Sequence, residues 1–89
     1  MPRVEITPRF GKSFARLHPE VREAAERALS KLFENPESRG LNLERISGEI
    51  YSIRVNRNFR ILLRKKQDDS GPYFIAEDIG SHNIYRRNR

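Results

Sequence analysis

Cysteine is absent from the 89-residue chain. That excludes disulfides, a thiolate nucleophile and any Cys-based zinc site. Long apolar runs are missing too. Nowhere is there a stretch able to span a bilayer, and the N-terminus MPRVEITPRFGK has no apolar h-region, so the expectation is a cytoplasmic protein without membrane association. Apolar residues make up only 36% of the chain. This predicts one small domain over residues 1–89, near the size at which a single core just suffices, with 86–89 as a flexible basic tail.

What the chain has in excess is positive charge. Eighteen Lys and Arg stand against twelve Asp and Glu, for a net charge of +6. The imbalance favours an acidic partner such as nucleic acid or an acidic protein segment. It is also uneven: residues 1–48 hold nine basic and seven acidic side chains, whereas 49–89 hold nine and five. A polyanion is therefore expected to dock on the second half.

The second half opens with EIYSIRVNRNFRILLRKK, residues 49–66, which predicts a β-hairpin. Tyr51, Ile53 and Val55 alternate with Ser52, Arg54 and Asn56, and after Asn56-Arg57-Asn58 the residues Phe59, Ile61 and Leu63 alternate with Arg60, Leu62 and Arg64. A two-residue loop would set Val55 against Arg60 and mix core with solvent. A three-residue loop, with Asn58 able to take the left-handed position, pairs Val55 with Phe59, Ile53 with Ile61 and Tyr51 with Leu63. The same register extends to Glu49 opposite Lys65, an expected salt bridge. On the other face it sets Arg54 directly against Arg60, Cβ atoms about 5 Å apart. Like charges so placed repel by about 1 kcal/mol in water and more where solvent is partly excluded. An anion between them, or two stems splayed into water, accounts for the arrangement equally well.

Before the hairpin, Arg3 to Thr7 predicts a short strand. Thr7-Pro8 starts a helix with Phe10, Phe14 and Leu17 on one face. Pro19 opens a second helix, in which Val21, Ala24, Ala25, Ala28, Leu29, Leu32 and Phe33 follow the helical repeat until Asn35-Pro36. Residues 36–48 are expected to be a connection whose Leu41, Leu43 and Ile46 tuck against the core. After a turn at 67–72, Tyr73 to Ile79 predicts a last strand inside the sheet. The result is an α+β fold of order βααβββ, a small antiparallel or mixed sheet with a helical pair packed on one face. The other face carries Ser52, Arg54, Arg60 and Arg64 together with Ile50 and Leu62, whose apolar character predicts cover by the tail or by a partner.

His82 and Tyr85 follow the last strand, near this outer face. A basic groove with one histidine and one tyrosine has what metal-independent RNA cleavage requires. The 2′-hydroxyl must lose a proton, the phosphorane charge must be stabilised and the leaving 5′-oxygen must gain a proton. Each residue alone has a plainer account: His82 as a turn residue, Tyr85 as an anchor of the C-terminus. Ser52 and Ser81 lack the company of a hydrolase nucleophile. His18 is expected to be a helix-boundary residue, and Asp68-Asp69 and Glu77-Asp78 are not expected to hold a metal. No metal and no cofactor is assigned.

Taken in order, FxxxFxxL, the helix ending in Leu32-Phe33-Glu34-Asn35-Pro36, Leu43-Glu44-Arg45-Ile46-Ser47-Gly48, IYSIRVNRNFRILL and the closing DIGSHNIYRR resemble the RelE/ParE superfamily of toxin–antitoxin toxins. The resemblance covers nearly the whole chain. It implies a RelE-like fold, a cognate antitoxin as partner and, in the RelE branch, cleavage of mRNA on the ribosome without a metal. On that basis Arg54, Arg60, His82 and Tyr85 are the expected catalytic residues, with Arg57, Lys65 and Arg86 adding attraction for RNA phosphates. Ser52 and Asn56 stand where some relatives carry basic residues, and the His-to-Tyr spacing is shorter than in the common GxHxxxY form. The ParE branch shares the scaffold but inhibits DNA gyrase by protein binding, so the alternative is a toxin that breaks no bond.

Overall fold

Thr7 ends a strand and starts a helix within one residue. Its hydroxyl accepts from the Phe10 N–H at 3.0 Å, capping the helix, and donates to the Glu77 carbonyl at 2.9 Å. Pro8 then takes the first helical position, where no N–H is needed. The computed structural model describes residues 3–81 and 84. In chain order these form β1 (Arg3–Ile6), α1 (Pro8–Ala15), α2 (Pro19–Glu34), a 3-10 turn (Arg39–Leu41), β2 (Glu44–Ser47), β3 (Ile50–Arg54), β4 (Phe59–Asp68) and β5 (Gly71–Ser81). His18 caps α2, its Nδ1 accepting from the Glu20 N–H at 3.4 Å, which is the boundary role expected of it.

The five strands form one sheet in the order β1-β5-β4-β3-β2. β1 runs parallel to β5 and the remaining pairs are antiparallel. The α+β class with a helical pair on one face of a mixed sheet is as expected. The expected order βααβββ lacked one strand, because residues 44–47 of the anticipated connection are β2. All four are exposed and only Ile46 is apolar, so no alternation marks the strand. It is held by backbone pairing with β3 and by a tight turn in which Gly48 adopts φ 51°.

Phe10, Ala25, Ala28 and Leu32 from the helices pack on Ile53, Ile61, Leu63 and Phe74 of the sheet. The alanines let α2 approach closely. Two apolar side chains expected inside, Ile46 and Phe33, are not. Leu41 is buried and Leu43 packs against the core, but Ile46 on the edge strand is 37% exposed. Phe33 is 46% exposed because the last turn of α2 carries it to the margin of the apolar stripe, and Ile6 on the opposite edge strand is 60% exposed.

The hairpin register is the one derived from the sequence, with Tyr51 opposite Leu63, Ile53 opposite Ile61 and Arg54 opposite Arg60. Its turn closes differently. Among the described residues the only non-glycine with positive φ is Asn42, so Asn58 is not left-handed. The Asn56 side chain performs the closure, its Oδ1 accepting from the N–H groups of Asn58 and Phe59, each at 2.9 Å. The Glu49–Lys65 salt bridge is also absent. Glu49 lies in the turn before β3, and its carboxylate reaches Lys66 at 3.1 Å and Arg64 at 3.6 Å instead. Lys65 meets Glu49 through its backbone N–H at 2.8 Å.

Two results check this packing. Leu32→Ala, at a position 0% exposed, should cost about 2–5 kcal/mol in urea unfolding, whereas Phe33→Ala should stay within about 1 kcal/mol. The second concerns pH. The Ser70 backbone N–H, and then Arg3, hold the Asp68 carboxyl below its usual range. Lys66, and then Arg64, do the same for Glu49. A carboxyl depressed in the folded state adds stability that is present above the unfolded pKa and lost as pH falls through the folded one. An Asp68→Asn/Glu49→Gln variant should therefore lose less stability than the parent on acidification from about pH 5 to about pH 3, read from thermal melts at low salt.

Candidate functional site

The end of the hairpin is where the sheet leaves charge unburied. Arg54, the last residue of β3, faces Arg60, the second of β4, and Arg57 stands at the centre of the loop between them. With Asn56 these three arginines line one open hollow of about 390 Å³. Among the described residues neither Arg54 nor Arg57 has an acidic partner within ion-pair distance, and both are exposed.

Arg60 is held differently. Its side chain is 22% exposed, with Nη1 donating to the Ser52 hydroxyl at 3.4 Å and lying 3.9 Å from the Glu44 carboxylate. One contact reaches β3 and the other reaches across it to β2, so the guanidinium is anchored over the sheet. The ion pair with Glu44 is loose and solvated and contributes about 0–1 kcal/mol. Planar, permanently charged guanidinium groups around one hollow suit a phosphate, whose oxygens accept paired N–H donors.

The register also shows what adjoins the hollow. One step along, Ser52, Leu62 and Asp78 lie side by side across β3, β4 and β5, and they are only 2%, 4% and 5% exposed. Leu62, for which cover by the tail or by a partner was expected, is covered within the single chain. The Asp78 carboxylate accepts from the Ile79 N–H at 2.8 Å. Ile84 is buried as well, and neither it nor Leu62 belongs to the cluster beneath the helices. Arg60 thus stands between this buried row and the open hollow.

Of the residues singled out from the sequence, the structure brings together Arg54, Arg57 and Arg60. Lys65 is not with them. Its ammonium lies 5.7 Å from the centroid of the Tyr51 ring, in a groove shared with Gly48, Glu49 and Lys66 at the other end of β3. His82, Tyr85 and Arg86 lie outside the described residues. Sequence reasoning placed Asn56 in the loop without its closing role, and it gave Glu44 no role. The Asn-x-Asn spacing was a usable signal for the first, since asparagine closes turns through its side chain. No signal marked the second, because Glu44 reaches Arg60 only through a strand that alternation did not reveal.

Comparison with known proteins gives concordant results. The family model described as the ParE-like toxin domain matches residues 19–87. The fold is similar to that of the YoeB/ParE toxin from Agrobacterium tumefaciens, with a TM-score of 0.72 and 14% identity over 90% of this chain and 98% of that one. The archaeal RelE–RelB complex from Pyrococcus horikoshii gives a TM-score of 0.72 and 13% identity over 90% and 93%. The intact RelBE toxin–antitoxin complex of E. coli gives 0.67 and 20% over 91% and 96%. No curated protein sequence matches the chain. At these identities the structural likeness concerns the fold.

A hollow that concentrates positive charge should be stabilised by an oxyanion. Inorganic phosphate at about one hundred times its Kd should raise stability by about 2.7 kcal/mol, read as a higher melting temperature. Arg54→Gln should melt no lower than the parent in low salt, because a repulsion is removed, and should lose the phosphate-dependent rise.

Proposed function

We infer, on the premise that this chain belongs to the ParE-like toxin domain family within the RelE/ParE superfamily, that it is the toxin of a toxin–antitoxin pair and cleaves mRNA on the ribosome. The observation that carries the nuclease reading is the hollow lined by Arg54, Arg57 and Arg60, in which two of the three cations have no acidic partner among the described residues. In the proposed reaction the 2′-hydroxyl of one nucleotide loses its proton and attacks the adjacent phosphorus. The bond to the 5′-oxygen of the next nucleotide breaks as that oxygen takes up a proton, leaving a 2′,3′-cyclic phosphate and a free 5′-hydroxyl. Arg54 and Arg60 hold the phosphate and stabilise the charge of the phosphorane, and Arg57 adds a third donor group. His82 transfers a proton and Tyr85 positions the RNA, the latter by stacking on a base.

The chain acts in the cytoplasm and is neutralised by a cognate antitoxin. Structures of similar fold solved as toxin–antitoxin complexes support that partner. Its acidic or amphipathic segment covers the half-buried Ile50 and the arginine hollow, complementing the charge of both strands. A second reading is favoured by the description of the family model as ParE-like: the same basic face engages DNA gyrase and no bond is broken.

Expression in bacteria separates the two. Cleavage predicts new 5′ ends within translated regions by primer extension, and Arg60→Ala should weaken that signal by about 10²-fold or more. Intact messages accompanied by an SOS response would establish the gyrase reading instead. Full translational arrest by Arg60→Ala would remove the role given to that residue.

A further inference from the structure

Arg54 lines a second hollow besides the one it shares with Arg57 and Arg60. This smaller space, of about 80 Å³, lies between the end of β3 and the flank of α2, and its other charged lining groups are Arg27 and Lys31. These two stand four residues apart on α2, so they are like-charged neighbours on one helix face, an arrangement that weakens a helix by itself. Both are exposed, and among the described residues neither makes an ion pair. Glu23 and Glu26 share a neighbouring groove with them without an ion pair to either. The fold therefore sets a second like-charged pair, Arg27 with Lys31, around a hollow that also borders Arg54, itself a member of the first pair with Arg60. A single anion in the larger hollow accounts for the first pair only.

We propose that Arg27 and Lys31 form a second phosphate subsite. They would hold the backbone of the same single RNA strand at a nucleotide flanking the one gripped by Arg54 and Arg60, so that the strand leaves the sheet along α2. This rests on the nuclease reading above and adds the path of the substrate to it. The contacts are to phosphate, so the subsite contributes affinity and direction without base preference. Gly40 borders the same hollow, and a Cβ built there would lie 3.5 Å from the Lys31 ammonium, in ordinary contact. A side chain at position 40 can therefore interfere with the subsite while both cations stay in place.

Binding of the full chain to a single-stranded 2′-O-methyl oligoribonucleotide, which has no 2′-hydroxyl to react, tests the proposal when compared with a dinucleotide that reaches only the larger hollow. Arg27→Ala/Lys31→Ala should bind the dinucleotide as the parent does and the oligonucleotide more weakly. Its plot of log affinity against log salt should be shallower by about 1.4, or about 0.7 for each cation removed. Gly40→Asp should weaken oligonucleotide binding in the same way. Lys12→Ala/Arg16→Ala, which removes equal charge at α1, should leave the slope unchanged. An unchanged slope in the α2 variant, or an equal drop in the α1 variant, overturns the subsite while leaving the nuclease reading standing if Arg54→Ala and Arg60→Ala still lose binding. Parent-like oligonucleotide binding by those two as well would overturn both.

Discussion

The register between β3 and β4 is the constraint on which the remainder depends. On the helix side it opposes Ile53 to Ile61 and Tyr51 to Leu63, and Ile53, Ile61 and Leu63 are each 0% exposed. Burying such side chains contributes about 1.5–3 kcal/mol apiece, before the entropy of ordering them. On the other side the same register opposes Arg54 to Arg60 at a cost of about 1 kcal/mol in water. The apolar term is several times larger. A slip of one residue would relieve the arginines only by turning the whole apolar set toward water. The core therefore enforces a like-charge pair that the outer face by itself would not choose, and the candidate site is held in place by packing on its reverse.

The two arginines then differ because their neighbours differ. Arg60 sits mid-sheet beside the buried Ser52 and within reach of Glu44 on the edge strand, so its guanidinium is oriented before any ligand arrives. Arg54 ends its strand and borders two hollows, one shared with the hairpin loop and one with α2. Orientation of one donor and exposure of the other suit a site that must first attract a phosphate and then hold it in one geometry.

The helices matter to the site mainly by where they are not. Thr7 ties the start of α1 to β5 through its backbone and its hydroxyl, and α2 follows after a short turn, so both helices lie on one face. The opposite face keeps its arginine end open while its centre, at Ser52, Leu62 and Asp78, is closed. An edge strand with no inward-facing run, β2, contributes one carboxylate at the rim.

Local chemistry determined much of this by itself. Proline at the first turn of both helices, the period of the apolar residues in α2 and the alternation along β3 and β4 each act over a few residues, so element type, hairpin register and the opposition of Arg54 and Arg60 were legible in the chain. Tertiary structure decided what local pattern does not encode. β2 exists because β3 offers it backbone partners. Phe33 is outside, and Leu62 is covered by the chain itself and not by a partner, because burial depends on what lies above a face and not on the residue's own period. Asn56 closes the turn because its side chain outcompetes a left-handed Asn58. The convergence of Arg57 with the pair, and the meeting of Arg54 with Arg27 and Lys31, required strands and helix distant in sequence to be brought together by a shared core, and no periodicity within either segment carries that information.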